Sequence, residues 1–373
     1  MLGKRETAIE FIRFRNNNRI SYFASILSHK LPESILVHLF DVPENTQEKQ
    51  LTIFEAYEKV WSKITPYIEN KSTVYFSPAG VLSISPIEYP TTDLPYTLVR
   101  VSSTSYISEI KGRTTSRHRK SALFGGLNYD SAVVDPQFDV DCDEELPQRD
   151  VKELRSREFK YLPGTLDEVT SISSLLKKEK SNVSLYTNDE GTETLFKSLS
   201  GNYLDMLHVA THGFYLSRED AEITNEKLSI NDEDSDLSRS GLILSGANTR
   251  LAYSTGGLID DGILTSKEIS RLDFTGIQMV VLSACQTGLG EIYKDGVAGL
   301  QRGFKKAGVK SMIVSLWKVD DEATNLLMNW FYKNINKGMK YRDALHSAQK
   351  SLLTYDNGKY SNFRYWAGWI VID

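Results

Sequence analysis

The stretch QMVVLSACQTGLG, residues 278–290, carries an apolar run from Met279 to Leu282, reaches Cys285, and then turns polar and glycine-bearing. The run is too short for an independent helix and has the β-branched, apolar composition of a buried strand. A second stretch, LDMLHVATHGFY (204–215), has the same grammar, with an apolar strand running into His212 and Gly213. Around these two segments the chain alternates from residue 121 onward. Strand SALFGG is followed by a helical face at 166–179, strand VSLYT, helix ETLFKSLS, strand MLHVA, the short helix TSKEISRL, strand MVVLSA, helix GVAGLQRGFKKAG, strand SMIVSLW, two helices over 320–354, and a last strand in WAGWIVID. Continuously apolar strands alternating with helices predict an α/β fold with a mainly parallel central sheet covered on both faces. Sites in such sheets form at the carboxyl ends of the strands. His212 and Cys285 both fall there.

The N-terminal region of the chain is strand-rich. TAIEFIRF (7–14), SYFASILS (21–28) and ILVHLF (35–40) are β-branched and aromatic runs separated by turn sequences. Residues 47–67 place Leu51, Phe54, Tyr57, Val60, Trp61 and Ile64 on one helical face. TVYFSPAGVLSISPIEY reads as a strand, a Pro-Ala-Gly turn and another strand, and YTLVRVSS as one more. The basic stretch KGRTTSRHRK separates this region from the alternating pattern and reads as a solvated linker. The expected organisation is therefore a strand-rich domain over 1–110, a basic linker over 111–120, and a larger domain over 121–373. Two acidic stretches, 135–158 and 216–240, read as long surface loops, and the second lies between His212 and Cys285.

A thiol is a weak nucleophile until it becomes a thiolate, and a neighbouring imidazole supplies the base and later protonates a leaving amine. If the strands before His212 and Cys285 are neighbours, their ends bring these groups together. The amides of Gly213 and Cys285 are then candidates for an oxyanion hole. Taken alone, a cysteine beside an apolar run is most often an inert core residue, and it is the paired pattern that raises the catalytic reading. His208, inside the apolar run, reads as a structural strand residue. Competing motifs are missing from the sequence. It has no G-x-S-x-G, no Walker A run and no H-E-x-x-H, so no metal, nucleotide or other cofactor is expected.

HVATHGFY, SGLILSGAN, DGILTSKEI, VVLSACQTGLG, GVAGLQRGFKKAG and SLWKVDDEAT, in this order, resemble the CHAT domain, a caspase-like, separase-like family of cysteine peptidases found in bacteria and often fused to tetratricopeptide repeats. The resemblance implies a caspase-like three-layer sandwich. It also implies that the strand-rich region, residues 1–110, is a degenerate, non-catalytic copy of the protease fold, as precedes the motif-bearing half in separase-like enzymes. It implies a Cys-His dyad, with Cys285 as nucleophile, His212 as general base and acid, and Gly213 in the oxyanion hole. SLWKVDDEAT is similar to the separase segment that supplies an acidic residue to the first specificity pocket, which makes Asp320 or Asp321 a candidate for reading a basic residue before the cut. An aspartate there equally reads as the N-cap of the following helix.

Composition agrees with an ordinary folded protein. The chain has 373 residues, 40% of them hydrophobic, and a net charge of -5, which argues against direct attraction to nucleic acid or an anionic membrane. No apolar run is long enough to span a bilayer, and MLGKRETAIEF lacks a signal-peptide core. The expected location is the cytoplasm, with Cys142 and Cys285 as reduced thiols. The expected function is an endopeptidase acting on a specific protein substrate in a bacterial defence or stress pathway. No tetratricopeptide pattern occurs in the chain, so a sensor is expected to be a separate chain or the region before residue 110, and control is expected from a ligand or a regulatory partner, either a sensor or a repeat-containing protein. The alternative is a catalytically silent scaffold that uses the same fold for interaction.

Overall fold

The computed structural model describes the chain except for residues 1, 17, 44–48, 90–93, 112–119, 132–157, 216–234, 250–259, 284–293 and 318. The basic stretch 111–120 and the acidic stretches 135–158 and 216–240 lie, apart from their ends, outside the described residues, as do Cys142 and Cys285. The chain divides into two compact units, Met1–Thr115 with Asn362–Asp373, and Ser116–Ser361. Residues 362–373, placed with the second half on sequence grounds, thus group with the first unit.

In the first unit β1 (Glu6–Asn16), β2 (Arg19–Ser28) and β3 (Ile35–Pro43) form an antiparallel meander. Strands β4 (Thr73–Ser77) and β5 (Thr97–Arg100) extend it in parallel, in the order β3-β2-β1-β4-β5. The period of two is plain in β2, where Ile20, Tyr22, Ala24 and Ile26 are buried and the residues between them are not. That face packs on the helical stretch that begins at Ile53, whose Ala56, Val60, Trp61 and Ile64 are fully buried. A capping box between Thr52 and Glu55 starts this helix, later than the 47–67 pattern predicts.

The strand expected after the Pro-Ala-Gly turn is absent. Gly80–Ile84 is instead a turn of 3-10 helix. The carbonyls here find a partner other than a neighbouring strand, because the guanidinium of buried Arg100 donates to Ser83 O at 3.1 Å and to Ser85 O at 2.9 Å while also binding the Glu88 carboxylate at 2.7 Å. A buried arginine on β5 thus replaces a sheet edge, which the alternating pattern of VLSISPIEY does not reveal.

The second unit contains the predicted parallel sheet. Strands β6 (Lys120–Leu127), β7 (Asn182–Asn188) and β8 (Leu204–Val209) are followed by a small antiparallel sheet of β9 (Gly213–Tyr215), β10 (Ser240–Ile243) and β11 (Ile263–Thr265). The chain then returns to the main sheet with β12 (Ile277–Leu282) and β13 (Ser311–Ser315). The order is β13-β12-β8-β6-β7, and every one of these pairings is parallel. The last strand, β14 (Trp369–Ile372), ends beside β5, where Ser102 N donates to Asp373 O at 3.1 Å.

Both faces of the parallel sheet are covered, and adjacent residues of β6 show how. Phe124 faces Phe196, with ring centroids 5.4 Å apart, and a stack continues through Phe274 to Phe304. Gly125 points the other way, toward the helix Pro163–Lys178, which packs in turn on the helix Asp321–Asn336. The first of these helices runs so close that a Cβ at Gly125 would lie 2.7 Å from Thr165 O and from Val169 Cγ1, and at Gly126, with φ +63°, one would lie 2.7 Å from Leu166 Cβ. The glycine pair of SALFGG is therefore a packing requirement. Gly125→Ala is expected to destabilise the protein by on the order of 1–3 kcal/mol, as overpacking of a close contact does. A thermal melt equal to that of the unaltered protein would show that the helix does not sit this close.

Candidate active site

Strands β8 and β12 are adjacent, parallel and level at their carboxyl ends. Leu282 is the register partner of Val209, and Ser283 N donates to Val209 O at 2.9 Å. His212 lies three residues beyond Val209, and Cys285 lies three residues beyond Leu282. The segment holding Cys285 is outside the described residues, whereas the framework that carries it up to Ser283 is described.

His212 is buried, with 7% of its surface exposed. Its Nε2 lies 2.8 Å from the carbonyl oxygen of Lys160. A carbonyl can only accept, so the imidazole nitrogen donates, Nε2 carries the proton in the neutral ring, and the basic lone pair sits on Nδ1. The ring is flanked by Tyr129 at 5.1 Å and Phe159 at 5.8 Å, both tilted. Tyr129 OH is 2.9 Å from Thr211 Oγ1, and Thr211 Oγ1 donates to Ile243 O at 2.5 Å. Burial is the main reason that the Tyr129 phenol is pushed up to about 12, so it stays neutral throughout the ordinary pH range.

Gly213 opens β9, paired with Leu242 of β10. Ile243 N donates to His212 O at 2.9 Å, which makes 212/243 the hydrogen-bonded pair of this antiparallel ladder and 213/242 the non-bonded one. The Gly213 amide is consequently turned away from β10.

Asp320 and Asp321 are both exposed. The Asp320 carboxylate accepts from Ala323 N at 3.0 Å and is the N-cap of the helix Asp321–Asn336, the structural role that its position allows. Asp321 faces the start of the other long helix, its carboxylate oxygen 3.0 Å from where a Cβ on Gly164 would stand.

Beneath the site lies a buried polar cluster. His208, fully buried on β8, has Nδ1 2.8 Å from Tyr332 OH and Nε2 3.1 Å from Glu168 Oε1, the latter a close contact without good hydrogen-bond alignment. Ser283 Oγ donates to the other Glu168 oxygen at 3.0 Å. Burial first, and the Glu168 charge next, push Tyr332 well above its ordinary value, leaving it a neutral hydroxyl. The cluster ties β8, the end of β12 and both long helices together, and His208 is thus structural, as its place in the apolar run indicates.

Sequence reasoning missed the Lys160 carbonyl, the two flanking rings and Glu168. A carbonyl oxygen is present in every residue and leaves no signal in composition, and Glu168 looks like any polar position on an amphipathic helix. Among the described residues no group of histidines, cysteines and carboxylates is arranged to hold a metal ion. No helix among them is long and apolar enough to cross a membrane.

Among curated proteins, tetratricopeptide repeat protein 28 of Homo sapiens is 31% identical over 110 residues, and its Mus musculus counterpart 30% over the same length. Each match covers 30% of this chain but only 4% of the relative. Among solved structures, the Arg-specific cysteine proteinase gingipain R aligns with a TM-score of 0.43 and 9% identity, over 86% of this chain and 65% of that one, too shallow a likeness to carry an argument. The CHAT domain family model matches residues 56–373, which takes in most of the chain and the whole of the site. The protein belongs to the CHAT domain family.

Proposed function

We propose that the protein is a cysteine endopeptidase with a dyad of Cys285 and His212. The observation that carries this reading is the level, parallel pairing of β8 and β12, with the two candidates equally far beyond the paired residues Val209 and Leu282. The Lys160 carbonyl supports it by holding the proton on Nε2 and leaving Nδ1 as the base. In the proposed reaction Nδ1 of His212 takes the thiol proton, the Cys285 thiolate attacks the scissile carbonyl carbon, and the amides of Gly213 and Cys285 stabilise the oxyanion. The imidazolium then protonates the leaving amine, and water, activated by the same ring, releases the acyl group.

The substrate in this reading is a protein, cut preferentially after a basic residue that Asp320 or Asp321 reads. The strand-rich first unit is a degenerate protease-like copy, and regulation comes from a sensor or repeat-containing partner, the two curated relatives being named as tetratricopeptide repeat proteins. A bacterial defence or stress role in the cytoplasm completes the proposal.

Cys285→Ala and His212→Ala are each expected to abolish proteolysis while leaving the protein folded, and an electrophilic peptide probe is expected to label Cys285 and lose that label in His212→Ala. Cleavage by Cys285→Ala at the unaltered rate would falsify the assignment, and absence of labelling with the cognate partner present would favour the silent scaffold. Asp320→Asn separates the two roles of that residue, since asparagine caps a helix about as well as aspartate but carries no charge. If Asp320 reads the basic residue, Asp320→Asn keeps its melting temperature and loses on the order of tenfold or more in cleavage after arginine or lysine. Unchanged cleavage would leave Asp320 as a cap alone and pass the role to Asp321.

A further inference from the structure

One side chain outside the dyad joins the segments that surround the imidazole. Asn248, at the end of SGLILSGAN, accepts from Phe159 N through Oδ1 at 2.9 Å and donates from Nδ2 to Phe159 O at 3.0 Å. The second Nδ2 proton goes to Asp130 Oδ1 at 2.8 Å, and the main-chain N of Asn248 donates to Tyr129 O at 2.9 Å. The two segments thus joined carry the two rings that flank His212, and Phe159 is followed directly by Lys160, whose carbonyl receives the His212 proton. An amide is the side chain this arrangement calls for. It offers an acceptor and two donors in one plane, which matches the N–H and C=O of a single residue in extended backbone. Aspartate would face the Phe159 carbonyl with a second acceptor, and alanine would hold neither group.

We propose that Asn248 is a positioning residue for His212, acting through the Phe159 main chain to place the Lys160 carbonyl on Nε2 and so to hold the imidazole in one tautomer. The segment 158–161 forms no helix or strand of its own, and the Asn248 amide engages both the N–H and the C=O of Phe159. Without it, the carbonyl that fixes the tautomer loses this support from the 244–249 turn. The consequence for catalysis rests on the dyad reading above, while the consequence for the imidazole does not.

The experiment uses the full chain carrying Cys142→Ser, so that Cys285 is its one thiol, and compares it with Asn248→Ala, Asn248→Asp and His212→Ala in the same background. Nitrogen-15 NMR of the imidazoles, with the His212 signals identified by their loss in His212→Ala, reads the tautomer directly. Iodoacetamide alkylation at neutral pH reads the thiolate at Cys285. The expected result is a single Nε2–H tautomer in the parent and a mixed one in both Asn248 variants, with alkylation slowed on the order of ten- to a hundredfold, the range that small displacements of a reacting group produce. Unaltered His212 signals in a folded Asn248 variant would overturn the proposal. The aspartate variant retains the bond to Phe159 N and is the fallback should the alanine variant fail to fold. If the tautomer becomes mixed while His212→Ala alkylates at the parent rate, the positioning role stands and the dyad reading is the one that fails.

Discussion

The second unit depends on one pairing, that of β8 with β12. These strands are buried along nearly their whole length, so their backbone groups have only each other and the flanking strands to bond with. Register is then set by the ladder, and a slip of one residue would turn every side chain to the opposite face. With the register at Leu282 opposite Val209, the chain leaves both strands at the same level, at one edge of the sheet. The cluster of Glu168, His208, Ser283 and Tyr332 reinforces this from below. Glu168 is buried and its Oε2 accepts from the Ser283 hydroxyl, so the position of Ser283 relative to β8 is tied to that bond.

Above that edge the small antiparallel sheet performs a second task. By bonding Ile243 to the backbone of His212 it carries the chain away immediately after the imidazole, and it turns the Gly213 amide outward. It is itself anchored from outside, since Lys197 Nζ binds Glu193 at 2.7 Å, Asp260 at 2.8 Å and Glu268 at 3.2 Å, joining the residues before β11 to the helices on either side of it. The imidazole therefore sits between a sheet held by salt bridges and a clasp held by amide hydrogen bonds. Neither arrangement involves a residue with chemistry of its own to advertise.

Periodicity made most elements legible. The meander of β1 to β3, the five parallel strands of the second unit and the two long helices after residue 320 all occur where apolar spacing places them, because each has a face whose burial dominates its energetics. Where a polar group took over that role, the pattern misled. VLSISPIEY alternates like a strand, yet the Arg100 guanidinium satisfies its carbonyls and frees it from any sheet. The helical pattern of 47–67 runs past the capping box at Thr52, because apolar spacing can continue through an extended segment while a cap cannot.

The sequence by itself determined which residues are candidates for chemistry and that they follow apolar runs, since a thiol and an imidazole are identifiable by type and apolar runs by pattern. Only the tertiary structure decided that those strands are neighbours and level, and which nitrogen of His212 bears the proton. The tautomer hangs on the carbonyl of Lys160, 52 residues from the ring in the chain. A main-chain oxygen has the same identity at every position, so its role is a matter of where the fold delivers it.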